Sequence, residues 1–195
     1  MTTKYKFQEI RAQILLDLRP AYPTRLSDYK TSSCRGEVVF GTPLPHPNSV
    51  LDLFVQCKVS FALPFACYRA CAAGDPLATK AVLSPSILRV ALRGQARLKM
   101  AELRLAKELA FQDCKGWQCL GKTPANRAQV FNWIHPEVAT QGGILERADF
   151  AESGFCSQCL QTFAVWLLGS KESIWENLPL YFGLPPWKEA AYQNP

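Results

Sequence analysis

The segment from Ser84 to about Gln112 constrains the fold most, because its apolar residues recur at the spacing of one face of a long α-helix. Ser84 is a typical N-cap residue, and Pro85 takes the first helical position, where a backbone N–H has no helical acceptor. The predicted buried face consists of Ile87, Ala91, Gly94, Leu98, Ala101, Leu105 and Leu109. The sequence therefore predicts an irregular, all-α, multi-helix fold around a long central amphipathic helix.

The opposite side of the same helix is predicted to be basic. It carries five cations: Arg89, Arg93, Arg97, Arg104 and Lys107. Residues 80–127 hold ten basic and three acidic residues, a net charge of +7, whereas the whole chain has +6. A one-sided positive stripe suits nucleic acid phosphates or an acidic partner protein. No aromatic side chains interleave with the arginines, so nucleic acid is not favoured and a solvated helix face is the simplest interpretation.

Two cysteine pairs in the second half of the chain form a candidate metal site. Cys114 and Cys119 belong to CKGWQC, and Cys156 and Cys159 belong to CSQC. Structural zinc takes four ligands in tetrahedral geometry, and a Cys-x2-Cys turn presents two thiolates to one ion. The sequence therefore predicts a structural zinc ion held by these four cysteines. Buried thiols without a metal are the alternative, and His135 could replace one ligand.

Other interpretations of the cysteines have less support. Cys156-Ser-Gln-Cys159 has the spacing of a redox dithiol at a helix N-terminus, where the helix dipole favours the thiolate. That motif normally follows a strand in an alternating strand-helix fold, which this sequence lacks. Cys67 and Cys71 lie one predicted helical turn apart, and we interpret them as small core residues.

A stretch around Cys119 matches the phosphate-loop pattern, from Gly116 to Thr123. It follows a long charged helix instead of a buried strand, and bulky Trp117 and Leu120 stand where such a loop curls tightly. We therefore do not predict nucleotide hydrolysis. The chain has only two histidines, so no Cys-His or Ser-His-Asp arrangement is apparent and the sequence predicts no catalytic residue.

Composition favours a single domain over residues 1–195, since 48% of the residues are hydrophobic and 11% aromatic. Charges occur throughout residues 1–20, unlike in a signal peptide, and no other segment is long and apolar enough to cross a bilayer. We therefore expect an intracellular protein, cytoplasmic or nuclear, without a membrane partner. The eight cysteines would stay reduced there, which favours metal ligands or buried thiols over disulfides.

Shorter helices are predicted on both sides of the central one. Residues 3–18 form a helix whose apolar residues share one side: Phe7, Ile10, Ile14 and Leu18. Near the C-terminus, Ser173 and Glu176 fit a capping box that would start a short helix. Three aromatic residues of this tail are predicted to dock on the body of the domain: Trp175, Phe182 and Trp187.

The order of several motifs resembles the BTB/POZ domain proteins of mushroom-forming (basidiomycete) fungi. The opening TKYKFQEIRAQILLDLRPAYPTRLSDYK resembles the helical tail that follows the BTB core, with a Lys-Tyr pair, a Tyr-Pro-Thr and a Leu-Ser. The motifs LPFACYRACAAGD, LSPSILRVALRGQARL and IWENLPLYFGLPPW are similar to the region after it, as are the paired cysteines. Residues 1–30 thus resemble the tail of the BTB domain, and residues 48–195 the post-BTB helical region.

This resemblance implies a non-enzymatic protein-protein interaction module whose specific partner is unknown. Nothing before Met1 supplies the strands and helices of a BTB core, so we expect the chain to lack that core. Dimerisation and cullin binding through the core are therefore not implied. A nucleic-acid or chromatin-associated binding module that uses the basic helix face 89–107 is the alternative function.

Overall fold

The computed structural model describes residues 3–31, 47–72, 83–110, 119, 145 and 156–192. These residues form helices and turns without a β-strand, which confirms the predicted all-α fold. The helices are α1 (Thr3–Leu18), α2 (Leu26–Thr31), α3 (Pro47–Gln56), α4 (Leu63–Ala72), α5 (Pro85–Ala110), α6 (Ser157–Tyr181) and α7 (Trp187–Tyr192). None of these helices has both the length and the apolar character needed to span a membrane.

The chain divides into two compact units. The first unit comprises Met1–Gly94 and Glu176–Pro195, and the second comprises Gln95–Trp175. Helices α5 and α6 each contribute residues to both units. The predicted single domain over residues 1–195 is not tested by this division and stays a prediction.

An aromatic cluster lies in the core of the first unit. The ring of Tyr22 meets those of Phe54 and Phe65 edge-on, with centroids 4.8 and 6.3 Å apart. Tyr29 also meets Phe65 edge-on at 5.7 Å, and Tyr68 stacks on Phe65 at 6.2 Å. Edge-on and offset-stacked pairs are the favourable geometries for aromatic rings. The cluster therefore joins α2, α3 and α4 around Phe65.

Helices α3 and α6 end in the same way, with a left-handed residue and a hydrogen bond back into the helix. After α3 this residue is Lys58, with a φ of 54°, and the N–H of Val59 donates back to α3 at 2.8 Å. After α6 it is Gly183, with a φ of 69°, and the N–H of Leu184 donates to the carbonyl of Pro179 at 2.9 Å. This is the Schellman motif, and glycine adopts it without the steric cost that Lys58 bears.

Helix α5 begins as predicted, at Pro85 directly after Ser84. The carbonyl of Ser84 accepts the N–H of Leu88 at 2.9 Å, so Ser84 is the N-cap residue. The backbone N–H of Ser84 donates to Oδ2 of Asp52 in α3 at 3.2 Å. This carboxylate ties the start of α5 to α3, and it lies where the helix dipole favours a negative charge.

Gly94 brings α5 close to the end of α6 within the first unit. A Cβ atom added to Gly94 would overlap the ring of Phe182, which is 4% exposed. Glycine is therefore required for the ring to reach the backbone of α5. Of the other residues on the same predicted face, Ile87, Ala91 and Leu98 are also buried. Ala101 and Leu105 are half-buried, and the side chain of Leu109 lies outside the described residues.

Most described side chains of α1 are exposed to solvent. Phe7 is 69% exposed, Ile10 55% and Ile14 47%, and the three share one side of the helix as predicted. Leu15, by contrast, is buried. Helical periodicity thus predicted the helix and the shared side of these residues, but Phe7, Ile10 and Ile14 are exposed and Leu18, the fourth of the predicted set, is half-buried.

Helix α6 runs through the position where the sequence suggested a new start. It is continuous from Ser157 to Tyr181, so the predicted capping box at Ser173 and Glu176 is wrong. The buried side of α6 keeps one helical spacing on both sides of this position: Cys159, Phe163, Leu167, Ser170, Ile174 and Leu178. Burial of this face outweighs the local preference of Ser173 for a helix start. Trp175 and Phe182 are buried as predicted, and Trp187 is half-buried.

Candidate metal centre

The thiols of Cys119, Cys156 and Cys159 lie together in the second unit, with their Sγ atoms within 4.8 Å of one another. Cys119 and Cys159 are buried, and Cys156 is half-buried. The residues come from two separate places in the sequence, so the cluster joins the chain at Cys119 to the start of α6. The structure therefore brings together three of the four predicted ligands.

The start of α6 positions two of these thiols. Cys156 precedes Ser157, the first helical residue, and its carbonyl accepts the N–H of Leu160 at 3.0 Å. Cys156 is therefore the N-cap residue, and Cys159 lies three positions later in the first turn. A spacing of three places both residues on the same side of a helix. The Cys-x2-Cys sequence thus becomes a pair of neighbouring thiols.

Two short contacts connect Cys119 to this turn. Its Sγ atom lies 3.5 Å from Sγ of Cys159. It also accepts a hydrogen bond from the backbone N–H of Cys156 at 3.4 Å. Both contacts place the Cys119 sulfur beside the first turn of α6, where one ion can contact all three thiols.

The separation of the sulfur atoms fits a tetrahedral zinc site. With Zn–S bonds of about 2.3 Å, neighbouring sulfur ligands lie about 3.8 Å apart. The 3.5 Å between the sulfurs of Cys119 and Cys159 is close to this value, and it is far longer than the S–S bond of a disulfide. Buried thiols in van der Waals contact have a similar spacing. The two interpretations therefore differ in metal content and not in sulfur geometry.

Several residues of the predicted site lie outside the described residues. These are Cys114, the alternative ligand His135, and the phosphate-loop pattern from Gly116 to Thr123 apart from Cys119. Zinc binding by the complete set of Cys114, Cys119, Cys156 and Cys159 therefore stays a prediction. The convergence of the last three is a feature of the structure.

Cys67 and Cys71 occupy a different environment, in α4 of the first unit. Burial raises the pKa of the Cys67 thiol far above its ordinary value, with a smaller contribution from Cys71. Cys67 therefore keeps its proton at neutral pH, and it belongs to the core and not to the group of three thiols in the second unit. Sγ of Cys71 donates a hydrogen bond to the carbonyl of Ala91 in α5 at 3.7 Å. Both residues join α4 to the core, in keeping with the prediction.

The basic side of α5 is exposed, as the sequence predicted. Its five cations are all exposed: Arg89, Arg93, Arg97, Arg104 and Lys107. Met100, on the same side, is 54% exposed. Sequence reasoning missed Glu102, a carboxylate that is 1% exposed. Its position one turn after the buried Leu98 was the available signal, because that spacing puts Glu102 at the edge of the apolar face.

Comparison with known proteins identifies no relative. A scan against protein-family models and searches of curated proteins and solved structures find no match to this chain. The resemblance to fungal BTB/POZ domain proteins therefore stays a prediction.

Proposed function

We propose that this chain is a non-enzymatic, all-helical protein-interaction module whose second unit is held together by a structural zinc ion. Cys119, Cys156 and Cys159 bind the ion, and Cys114 is the fourth ligand. The convergence of three thiols from two distant segments is the observation that carries the zinc assignment. Four cysteine ligands leave no open coordination position, which is typical of structural zinc and not of catalytic zinc.

Zinc would stabilise the fold by linking segments that are far apart in the unfolded chain. The thiols converge only after folding, so the free energy of metal binding contributes directly to folding. The cluster contains three sulfurs, whereas a redox dithiol needs two. A metal ion accounts for the third, which Cys119 contributes.

The interaction role draws on features outside the metal centre. The order of the sequence motifs resembles that of an interaction-domain family, and α5 exposes a row of cations. Helix α1 exposes Phe7, Ile10 and Ile14 on one side. Exposed rows of like residues on helices are typical of docking surfaces. No catalytic residue is assigned, since the clustered thiols are accounted for as ligands.

A nucleic-acid or chromatin-associated module is the second candidate function, favoured by the exposed cations between Arg89 and Lys107. Each phosphate contact to duplex DNA steepens the dependence of log K on log salt by about 0.9. Titration with duplex DNA at several salt concentrations tests this function. Arg93→Glu with Arg97→Glu must abolish the binding for α5 to be the contact surface.

Thermal unfolding of metal-stripped protein, titrated with zinc, tests the first proposal. A ligand that binds only the folded state stabilises it by about 2.7 kcal/mol at a free concentration of about 100 times its Kd. For a chain of this size the Tm should rise by about 5 to 10 °C. Cys156→Ser with Cys159→Ser should abolish the shift, and magnesium should cause none. If zinc does not change the Tm of the metal-stripped protein, the cluster consists of buried thiols without a metal.

A further inference from the structure

We infer that one side of α5 binds an acidic amphipathic helix of a partner protein. This side consists of Arg97, Met100, Arg104 and Lys107, all of them exposed and all in the second unit. We call these four residues the basic seam. The inference rests on the proposed interaction function and specifies the chemistry of the partner.

The basic seam has the spacing of a helix-pairing surface. Its residues are separated by three, four and three positions, which is the repeat with which one helix packs along another. At 1.5 Å per residue the seam is about 15 Å long, or about three helical turns. An ordinary pairing helix carries apolar residues at these four positions. The seam instead carries cations at three of them and Met100 at the fourth. The seam therefore suits a partner whose facing residues are of opposite charge.

Charge selects an acidic partner over a second copy of this chain. The exposed side of α5 in the second unit carries the three cations of the seam and one carboxylate, Glu108, while Glu102 is buried. Pairing of two copies would place arginine or lysine against arginine, and like charges across an interface are strongly unfavourable. Glutamates or aspartates in the facing positions would instead accept paired hydrogen bonds from Arg97 and Arg104.

Met100 favours a protein helix over nucleic acid. It is 54% exposed and lies between Arg97 and Arg104 in the seam. A methionine side chain adapts to varied apolar surfaces and is frequent where amphipathic helices bind, whereas a phosphate backbone offers it no apolar partner. The expected ligand therefore has one apolar residue opposite Met100 and carboxylates on either side of it.

A synthetic helical peptide tests this inference on the full chain. For an antiparallel partner the complementary pattern is Glu-x-x-Glu-x-x-x-Leu-x-x-Glu. A control peptide of the same composition places these residues on different sides of its helix. Fluorescence anisotropy should show binding of the first peptide and at least about tenfold weaker binding of the control.

Variants of the chain locate the surface. Arg104→Glu with Lys107→Glu should weaken peptide binding at least about tenfold, and Met100→Ser should weaken it about fivefold. Lys188→Glu is the matched control, because Lys188 is an exposed cation of α7 outside the seam. It should leave the affinity unchanged.

Each outcome decides the inference. Peptide binding that needs Met100 and the two cations Arg104 and Lys107 supports it. Binding of duplex DNA in place of the peptide, steeply salt-dependent and unaffected by Met100→Ser, overturns it in favour of nucleic acid. Binding of neither ligand also overturns it and leaves a solvated helix face. Zinc content, measured on the same samples, distinguishes the proposed zinc centre from the inferred binding surface. A chain that contains zinc but does not bind the peptide contradicts only the role of the basic seam.

Discussion

Cys119 and Cys159 are 40 residues apart in the chain, yet their Sγ atoms lie 3.5 Å apart in the second unit. The backbone N–H of Cys156 donates to the same Cys119 sulfur, so Cys119 contacts both ends of the first turn of α6. Contact between buried thiols contributes little stability by itself. A metal ion bound to both segments would make this contact a strong link, and we interpret the cluster in that way.

The close contact between Gly94 and Phe182 predicts a specific loss of stability. Gly94→Ala adds a methyl group that overlaps the Phe182 ring, so the free energy of unfolding should fall by about 1 to 3 kcal/mol. Gly169→Ala is the matched control, because its added Cβ meets no described atom within 4 Å on the exposed side of α6. It should stabilise the helix by about 0.5 to 1 kcal/mol. Equal effects in urea unfolding would contradict this packing.

The two Schellman motifs predict opposite effects of glycine. Lys58→Gly should raise the free energy of unfolding by up to about 1 kcal/mol, because Lys58 is left-handed and exposed. Gly183→Ala should lower it by about 1 kcal/mol, because alanine is strained at a φ of 69°. Urea unfolding of both variants measures these changes. A destabilised Lys58→Gly variant would argue against the described end of α3.

Burial of the Cys67 thiol predicts a dependence of stability on pH. Its pKa is raised in the folded state, whereas in the unfolded chain it is about 8.5. Below that pH both states keep the proton, and Cys67 adds no pH dependence. Above it the Cys67 thiol ionises only in the unfolded chain, so the free energy of unfolding falls by up to about 1.4 kcal/mol for each pH unit.

Cys67→Ala should remove this contribution to the fall in the free energy of unfolding at alkaline pH. Urea unfolding at several values between neutral pH and about pH 10 compares the slopes of the native chain and the variant. Cys57→Ala is the control, because Cys57 is exposed. If the free energy of unfolding has the same slope against pH in the native chain and in Cys67→Ala, the raised pKa of Cys67 is contradicted.

The contrast between the exposed Phe7 of α1 and the buried Trp175 of α6 predicts unequal costs of aromatic truncation. Trp175 is 3% exposed, so Trp175→Ala should cost about 3 to 5 kcal/mol. Phe7 is 69% exposed, so Phe7→Ala should cost less than about 0.5 kcal/mol. Chemical unfolding of both variants measures the difference. A loss under about 1 kcal/mol for Trp175→Ala would contradict the burial of this side chain.

The fold was predictable where local signals and burial agree. Ser84 and Pro85 indicate the start of α5, and the apolar spacing after them indicates its buried side. The structure has this start, and the predicted face is buried from Ile87 to Leu98. At Ser173 the signals disagree, because a capping sequence interrupts a helix whose buried residues keep their spacing. Packing of Ile174 and Leu178 decided the outcome there, and a local motif cannot reveal it.

The candidate site was predictable in composition but not in geometry. The CSQC spacing predicted that Cys156 and Cys159 would act as a pair, and their place at the helix start explains why. Their approach to Cys119 depends on the path of the chain between them, which spacing does not specify. In α1, periodicity likewise gave the shared side of Phe7 and Ile14 but not its exposure, since exposure depends on what the rest of the fold covers.

Metal analysis combined with zinc X-ray absorption, on protein purified without added zinc, tests the central claim most directly. We predict one zinc ion per chain with four sulfur ligands at about 2.3 Å. Cys156→Ser with Cys159→Ser should lose the ion, whereas Cys57→Ser should keep it. A chain without zinc, or one that retains its zinc after both substitutions, would contradict the structural zinc centre.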